Sequence, residues 1–364
     1  MGLLEKIDVY LLWFDSMGAK SASVAVRLHG SGERYLVIDP GAAAMQPSYP
    51  LESSEKKRLR RKAVERIKGF LEKAEAVIIT HYHHDHFVYP RDRDLAFPKI
   101  YCGKKLYVKN PNKYINQSQW GRSRVFLSEI VEVCGESTGL DDYLAEPMEN
   151  VFEDPVEKLE HALARDYGDY AGRKKELLEK GRKWFKKLSE TLWGKKKWVQ
   201  EIKLPNINAE WLDNRELCFG DITVKAYPPW FHGVEYDRTG WIIPLLIRVG
   251  GYKLFYSSDL MGPIIEDYAY EVIRLKPDIL ILDGPPTYLF PYMFNRVNLR
   301  RAVENLVNII SCGRPKLIIY DHHLLREKNW RKWVEEAFAE ARKQGVEIMT
   351  AAEYYGDEPL IDKL

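Results

Sequence analysis

The chain has 364 residues, 45% of them hydrophobic and 30% charged, and its 55 basic and 53 acidic residues leave a formal net charge of +2 at pH 7. A chain of this length can bury a sizeable core, either as one large domain with an insertion or as two domains. The small net charge excludes a general electrostatic attraction to nucleic acid or to a membrane, so any such attraction must be local. The abundance of charge, with few glutamines, is typical of heat-adapted proteins.

Segments that would direct the chain to a membrane or out of the cell are not evident in the sequence. No stretch approaches the ~20 apolar residues of a membrane span, and the N-terminal residues lack the small-residue cleavage site of a signal peptide. The cysteines at positions Cys102, Cys134, Cys218 and Cys312 are widely spaced and form no CxxC pair, so we expect them to be reduced and mostly buried. We therefore expect a cytoplasmic protein with no membrane partner.

The first third of the chain predicts strands and then a helix. Residues 7–14, 23–28 and 34–38 have the composition and spacing of strands, and the last of these ends in Asp39 before a proline and a glycine. A helix is predicted from about 53 to 73, because its apolar residues fall on one face. This order of elements implies a layered arrangement of sheets and helices.

Four histidines and an aspartate follow the apolar run at 76–79, in the sequence His81-Tyr82-His83-His84-Asp85-His86. Neutral imidazole and ionised carboxylate are the ligands that zinc prefers when it keeps one position open for water. His81 and His83 would project from the same face of an extended strand and could bind one ion. Asp85 and His86 fall where the strand must turn, so a short loop could direct them to a second ion. His84 is interpreted as a supporting residue.

Periodicity weakens between about 100 and 205, which indicates an inserted segment. Within it, residues 172–198 carry eleven Lys and Arg against three Glu and predict a basic amphipathic pair of helices. Such a surface could be a lid over an active site, a binding surface for a phosphate backbone or an oligomer contact. The alternative is a helix face that is simply solvated.

The remaining chain predicts strands that end in polar residues. The strands at 222–227, 252–256 and 316–320 are followed by possible metal ligands, and a further strand is predicted at 278–283. Because strand ends converge on one edge of a sheet, we expect these side chains to meet near the histidine cluster. A turn-capping role is the alternative for Asp39. The candidates from these strand ends are Asp39, His232, Asp259, His322 and His323.

The ordered set Asp39, His81-x-His83-x-Asp85-His86, His232, Asp259 and His322/His323 resembles the five-motif pattern of the metallo-β-lactamase superfamily, over nearly the whole chain. The resemblance implies an α/β fold, a four-layered αββα sandwich with a mainly helical insertion, and a dinuclear metal site along one edge. It also implies a single domain spanning residues 1–364, with the insertion at about 100–205 acting as a lid or as an additional binding surface.

Carried over residue by residue, the resemblance assigns the ligands of two metal ions. His81, His83 and His232 would hold the first ion. Asp85, His86 and either His322 or His323 would hold the second, with His322 favoured as the ligand and His323 then available as a proton donor. Asp259 would bridge the two ions, and Asp39 would orient a ligand.

The resemblance also bears on the metal and on the branch of the superfamily. A carboxylate at position 83 would be similar to the di-iron oxidoreductase branch, so His83 favours Zn²⁺, with Mn²⁺ and Fe²⁺ as alternatives. The insertion between the second and third motifs differs from the beta-CASP nucleases, which carry theirs between the fourth and fifth. Class B lactamases lack a bridging aspartate. The ending at 321–326 resembles a poorly characterised archaeal branch.

Two metal ions about 3.5–4 Å apart can share a water and lower its pKa from ~15.7 toward 7. We therefore predict a metal-dependent hydrolase that uses a metal-bound hydroxide on a small ester, lactone, thioester or phosphoester, with His323 or His84 as the leaving-group proton donor. The first alternative is an RNA or DNA phosphodiesterase that binds its substrate on the basic insertion. The second is a binding protein on an inactive enzyme fold. The oligomeric state is left open.

Overall fold

The computed structural model describes residues 2–30, 32–135 and 139–364. The strands in chain order are β1 (Val9–Phe14), β2 (Ala22–Leu28), β3 (Arg34–Ile38), β4 (Ala74–Ile79), β5 (Lys105–Val108), β6 (Leu144–Ala145), β7 (Trp198–Val199), β8 (Ile202–Leu204), β9 (Ile207–Trp211), β10 (Glu216–Phe219), β11 (Ile222–Ala226), β12 (Trp230–Phe231), β13 (Trp241–Ile242), β14 (Leu245–Val249), β15 (Tyr252–Tyr256), β16 (Ile279–Asp283), β17 (Leu317–Asp321) and β18 (Glu347–Met349). The α-helices are α1 (Leu3–Lys6), α2 (Ser53–Leu71), α3 (Gln117–Cys134), α4 (Glu160–Ala164), α5 (Ala171–Leu188), α6 (Glu266–Leu275), α7 (Arg296–Asn308), α8 (Trp330–Gln344), α9 (Ala351–Tyr354) and α10 (Leu360–Lys363).

Two seven-stranded sheets form the centre of the molecule. The first has the order β1-β2-β3-β4-β5-β9-β8 and the second has the order β10-β11-β14-β15-β16-β17-β18. In the first sheet, β3, β4, β5 and β9 are parallel neighbours, and in the second the parallel neighbours are β15, β16, β17 and β18. Parallel strands end at the same edge of a sheet, so the loops that follow them are brought close together.

The buried apolar residues form two clusters. One lies between the two sheets, and the other lies between the sheets and the helices that cover them. In β4, Ala76 and Ile78 pack with residues of the second sheet, whereas Val77 and Ile79 pack with residues of the helices. This alternation follows from the period of two along a strand. The predicted α/β class and αββα sandwich are therefore confirmed.

Helix α2 illustrates how the sequence pattern produces a layer. Its buried residues recur at helical spacing and its other face is charged, so the helix covers the first sheet and exposes its basic and acidic side chains. The prediction of a helix at about 53–73 agrees with its bounds. Glu52 occupies the N-cap position, but its side chain makes no capping hydrogen bond. Ser53 is the first helical residue.

The segment at 100–205 contributes both to the first sheet and to a separate layer. Strands β5 and β8 belong to the first sheet, and the chain between them carries α3, α4 and α5. The predicted pair of helices over 172–198 is wrong. A single helix, α5, continues into a π-helical turn over Ser189–Trp193 and then into β7.

Buried tryptophans explain why no second helix forms there. The indole of Trp193 donates to the carbonyl of Ile115, and the indole of Trp198 donates to the carbonyl of Trp193. These bonds hold the chain against the core, where a further helix would expose both rings. Leu177, which the periodicity places on the buried face, is 40% exposed.

The expectation for the cysteines is also wrong. Cys102 and Cys134 form a disulfide with a Cα–Cα distance of 5.3 Å, and Cys218 and Cys312 are free and exposed. The pair is separated by 32 residues in sequence, but the ring of Tyr101 packs edge-on against Phe126 of α3 and brings the two segments together. None of the described helices has the length and apolar character needed to cross a bilayer.

Candidate metal centre

The predicted ligands lie together at one end of the sandwich, beyond the ends of parallel strands. Strands β3, β4 and β17 lead directly to Asp39, to the turn that begins at Thr80 and to His322, and Asp259 lies three residues after the end of β15. Three of the residues around this centre have left-handed backbone conformations, with φ of +47° at Asp39, +51° at Ser258 and +65° at His322. Such conformations are uncommon for residues with side chains and are found where the surrounding structure holds the backbone in place.

Four of the side chains form a first group around one carboxylate oxygen. The Oδ2 atom of Asp259 lies 3.2 Å from His81 Nε2, 3.8 Å from His83 Nδ1 and 3.0 Å from His232 Nε2. One ligand atom from each of the four residues lies within 4.8 Å of the others. The side chain of His83 is 19% exposed, whereas the other three are almost fully buried, so the group is open to solvent on the side of His83.

A second group surrounds the other oxygen of the same carboxylate. Asp259 Oδ1 lies 2.6 Å from His86 Nε2 and 3.0 Å from His322 Nε2. Asp85 completes this group, since its Oδ2 is 3.8 Å from His322 Nε2. The two oxygens of Asp259 are therefore divided between two clusters of ligand atoms, which is the placement expected of a bridging ligand.

The hydrogen bonds behind His86 and His322 test whether this centre suits metal ions. His86 Nδ1 donates to Asp39 Oδ2 at 2.9 Å, and His322 Nδ1 donates to Asp15 Oδ1 at 2.7 Å. A neutral imidazole that donates through Nδ1 presents a lone pair at Nε2. The two Nε2 atoms are only 3.4 Å apart, so both lone pairs would face the same small space unless positive charge lies between them.

The electrostatics of the metal-free residues lead to the same conclusion. Burial alone would lower the pKa of His86, but the carboxylates of Asp259 and Asp39 outweigh it and raise that pKa to about 10. Burial opposes the shift at His322 too, where Asp15 and Asp259 hold the pKa well above its usual range. The group thus requires positive charge, which a divalent cation supplies without protonating the imidazoles.

Unpaired polar atoms, one in each group, also fit a metal. Among the described residues, His81 Nε2 and Asp259 Oδ1 are buried and form no hydrogen bond of suitable geometry, although other ligand atoms lie within 3.2 Å of each. Buried polar atoms are normally paired, because an unpaired one costs roughly 1–3 kcal/mol. Imidazole nitrogens and carboxylate oxygens are the donor set expected for zinc and similar ions.

Asp39 lies behind the ligands and contacts several of their neighbours. Its Oδ1 accepts the backbone N–H of Thr80 at 2.7 Å, and its Oδ2 accepts the hydroxyl of Tyr256 at 2.7 Å as well as His86 Nδ1. A carboxylate bound by this many donors holds a fixed position, and His86 is held with it.

Asp15 makes the equivalent contact on the other side, although the sequence did not single it out. It accepts from His322 Nδ1 and from Arg326 Nε at 2.7 Å. Burial would raise its pKa, but the positive charges of Arg326 and His322 lower that pKa to about 2. Asp15 directly follows β1, so the rule that found the other strand-end ligands could have found it.

Of the last two histidines, His322 lies in the second group and His323 is held beside it. His323 Nδ1 is 3.0 Å from both carboxylate oxygens of Asp283, and the backbone N–H of His323 donates to the same carboxylate at 3.1 Å. Asp283 is the last residue of β16 and was also missed. A nitrogen of His323 still lies within 4.8 Å of ligand atoms from Asp259 and His322, so His323 borders the centre.

The two remaining residues of the sequence motif, His84 and Asp85, differ in their contacts. His84 packs its ring against Phe87 and Tyr89, with ring centroids 5.8 and 5.6 Å away, and is in neither group of ligand atoms among the described residues. The carboxylate of Asp85 accepts from Arg326 Nη2 at 3.2 Å, so Arg326 links Asp85 to Asp15.

Comparison with known proteins gives relatives over nearly the whole chain. No protein-family model matches the sequence. The chain is 27% identical to a UPF0282 protein of Korarchaeum cryptofilum, covering 95% of this chain and 88% of the relative. It is 26% identical to a UPF0282 protein of Methanocaldococcus jannaschii, covering 95% and 91%, and 28% identical to one of Pyrococcus furiosus, covering 94% and 86%.

The solved structures that match the chain are more distant in sequence. CmlA, a diiron β-hydroxylase from Streptomyces venezuelae, is 12% identical with a TM-score of 0.42, and the match covers 94% of this chain but only 52% of CmlA. The short form of human tRNase Z is 13% identical with a TM-score of 0.34, covering 86% of this chain and 91% of that one.

Proposed function

We propose that this protein is a metal-dependent hydrolase with a dinuclear centre. One ion would be held by His81, His83 and His232, and the other by Asp85, His86 and His322. Asp259 would bridge the two ions. The observation that carries the proposal is the division of the Asp259 carboxylate between two clusters of ligand atoms, with 3.0 Å from Oδ2 to His232 Nε2 and 3.0 Å from Oδ1 to His322 Nε2. When bound, such a pair of ions supplies Lewis acidity and lowers the pKa of water at the site.

Zinc is the metal we propose, because the donor set is rich in imidazole. Five histidines and two aspartates would serve two ions, and nitrogen donors of this kind suit Zn²⁺ better than the oxygen-preferring Mg²⁺ or Ca²⁺. Mn²⁺ and Fe²⁺ are the alternatives that elemental analysis would distinguish.

The surrounding carboxylates have the task of orienting the ligands. Asp15 and Asp39 each accept an Nδ1–H, which fixes the tautomer of His322 and His86 and directs each Nε2 toward Asp259. The loop that bears Asp85 is held by Arg326. Because these groups are already in place, little reorganisation is needed when substrate binds.

His323 is proposed as the proton donor to the leaving group. Its Nδ1 is held by Asp283, so Nε2 is the nitrogen left to transfer a proton to an alkoxide, thiolate or other leaving atom. Burial, together with the positive charges of Arg326 and His322, holds the pKa of His323 well below its usual range, so the ring gives up its proton readily once it is protonated. Asp283 positions the ring, as the carboxylate does in other His–carboxylate pairs.

The proposed substrate is a small ester, lactone, thioester or phosphoester. The exposed edge of His83 marks where such a molecule would reach the ions. The inserted chain within 100–205 lies beside this region, and we propose that it belongs to the same single domain, spanning residues 1–364, as the two sheets.

A nucleic-acid substrate is the second candidate, favoured by one specific observation. Helix α5 exposes a series of lysines and arginines while its Gly181 packs against Tyr236, in the loop that follows His232. A phosphate backbone bound along α5 would therefore lie near the first group of ligands. Binding that weakens steeply with salt would support this candidate, and salt-insensitive turnover would favour the small-molecule one.

The proposal is tested by turnover of bis(p-nitrophenyl) phosphate, an aryl ester and a lactone by zinc-loaded protein. Asp259→Ala should abolish turnover of every substrate that the wild type accepts. Asp278→Ala is the matched control. Asp278 lies just before β16, at the end of the strand remote from the centre, and accepts the backbone N–H of Lys253 at 3.0 Å. Undiminished turnover by Asp259→Ala would refute the assignment.

A further inference from the structure

The inserted chain contacts the metal-binding loops through one fully buried glutamine. Helix α3 begins at Gln117 and is capped by Asn116, whose side-chain oxygen accepts the backbone N–H of Gln119 at 2.7 Å. This cap fixes the first turn of the helix. Gln119 has no exposed surface, so its side-chain amide must find partners inside the protein.

Those partners lie in two different ligand-bearing loops. Gln119 Oε1 accepts the backbone N–H of Tyr82 at 3.3 Å, and Tyr82 is the residue between His81 and His83. Gln119 Nε2 donates to the backbone carbonyl of Thr239 at 2.7 Å. One side chain thus connects the loop of two first-group histidines to the loop that follows the third.

Thr239 transmits this connection to His232. Its hydroxyl donates to the carbonyl of His232 at 3.0 Å, and the backbone N–H of His232 donates to the carbonyl of Gly240 at 3.0 Å. Asn116 adds support, because its Nδ2 donates to the carbonyls of both Arg238 and Thr239, at 2.7 and 2.9 Å.

Close packing shows that this contact is built into the fold. Gly240 has φ of +107°, and a Cβ atom there would lie 2.9 Å from Gln119 Nε2 and 3.4 Å from the side chain of Asn116. Only glycine permits the loop to approach the start of α3 so closely.

We propose that Gln119 is a positioning residue for the first metal ion, tying the His81/His83 loop to the His232 loop and thereby setting the separation of the three imidazoles. The inference rests on the proposed dinuclear centre and gives the inserted segment a role in assembling it. The second group has separate supports in Asp15 and Asp39, so the loss of Gln119 should weaken one ion and spare the other.

The amide is required because it must accept and donate at once. Gln119→Glu keeps the length of the side chain and the acceptor toward Tyr82, but it replaces the donor toward the Thr239 carbonyl with a negatively charged oxygen. Gln119→Leu removes both bonds. A buried acceptor left without a partner disfavours the observed loop arrangement.

The test measures Zn²⁺ binding by calorimetric titration of chelator-treated full-length protein, with elemental analysis after dialysis. We expect the wild-type chain to bind two Zn²⁺. Gln119→Leu should bind one Zn²⁺ with unchanged affinity and the other with an affinity at least tenfold lower, as is typical when a support of a metal ligand is removed. Gln119→Glu, the less disruptive variant, should show the same selective loss.

Asn112→Leu is the matched control. Asn112 is as buried as Gln119 and lies in the same inserted chain, but its side chain bonds to Val199, donating to the carbonyl and accepting the N–H at 2.8 Å each. The Asn112→Leu substitution should lower the thermal stability and leave both Zn²⁺ affinities unchanged. Equal weakening of both ions by the Gln119 variants, or two ions retained at wild-type affinity, would overturn the inference. A wild-type chain that binds no Zn²⁺ would instead refute the proposed function.

Discussion

His86 and His322 point their Nε2 atoms at each other across 3.4 Å, while Asp39 and Asp15 hold the opposite nitrogen of each ring. This arrangement fixes both tautomers so that lone pairs meet. It is stable only when positive charge is present, either as protons on the rings or as a cation between them.

Removing metal should destabilise the protein more at high pH than at neutral pH. In the metal-free protein the pKa of His86 is raised to about 10, above its usual ~6.5. Protonation of this group stabilises the metal-free fold fully below pH ~6.5, and this stabilisation is lost as pH rises toward 10. We therefore expect the difference in Tm between zinc-loaded and chelator-treated protein to widen from pH 6.5 to 10, measured by calorimetry. A constant difference would contradict this.

Asp15→Asn should weaken the second ion. The variant keeps the size of the side chain but offers a neutral acceptor to His322 Nδ1, which reduces the basicity of the coordinating nitrogen. We expect a loss of about 10–100-fold in the affinity for one Zn²⁺, measured by competition with a chromogenic chelator. Asp267→Asn is the control, since Asp267 accepts the backbone N–H groups of His161 and Ala162 at 3.0 and 2.9 Å, outside both groups of ligands, and it should retain both affinities.

His323→Gln should lower the rate of the chemical step and leave the metal content unchanged. As a general acid, His323 would contribute roughly 10²–10⁴-fold to kcat, and Asp283→Asn should cause part of the same loss because Asp283 holds the ring. The loss should grow as the leaving group becomes more basic, which a series of aryl esters measures. A loss of one Zn²⁺ in His323→Gln would mean that His323 is a ligand.

A buried ion network around Glu235, in the loop that follows His232, should make the fold sensitive to acid. Burial would raise the pKa of Glu235, but the charges of Arg301 and Lys174 outweigh it and lower that pKa to about 2. A carboxyl group with a lowered pKa stabilises the fold fully above pH ~4.5, and this stabilisation is lost as the pH falls toward 2.

The comparison of wild type with Glu235→Gln isolates this contribution. The difference in free energy of unfolding should be about 3 kcal/mol at pH 7 and should shrink between pH 4.5 and 2, measured by urea denaturation of chelator-treated protein. A difference that does not change with pH would exclude Glu235 as the source.

The sequence predicted the layers of the fold because their periodicity is strong. Helix α2 and strands β4 and β17 have apolar residues at regular spacing, and their bounds agree with the structure to within a few residues. Helix α3 lies in the segment where the periodicity weakens, since the polar residues around its start, including Gln119, give no apolar face there. The start of that helix is specified by contacts with distant loops, which no local pattern contains.

The candidate site was predictable to the extent that its residues are of ligand type. The structure brings the predicted histidines together with Asp85 and Asp259 because each follows a strand end. Asp15 and Asp283 obey the same rule, but a single aspartate after a strand is indistinguishable from one that caps a turn. The disulfide was missed because packing between distant segments, seen in Tyr101 and Phe126, determines which cysteines meet.

The number of metal ions bound by each chain tests the central claim most directly. Elemental analysis of purified protein after equilibration with Zn²⁺ and removal of the excess should give two ions per wild-type chain, and no more than one in Asp259→Ala, because the bridging carboxylate serves both groups. A folded wild-type chain that retains fewer than two ions, or an Asp259→Ala variant that binds two with wild-type affinity, would contradict the account.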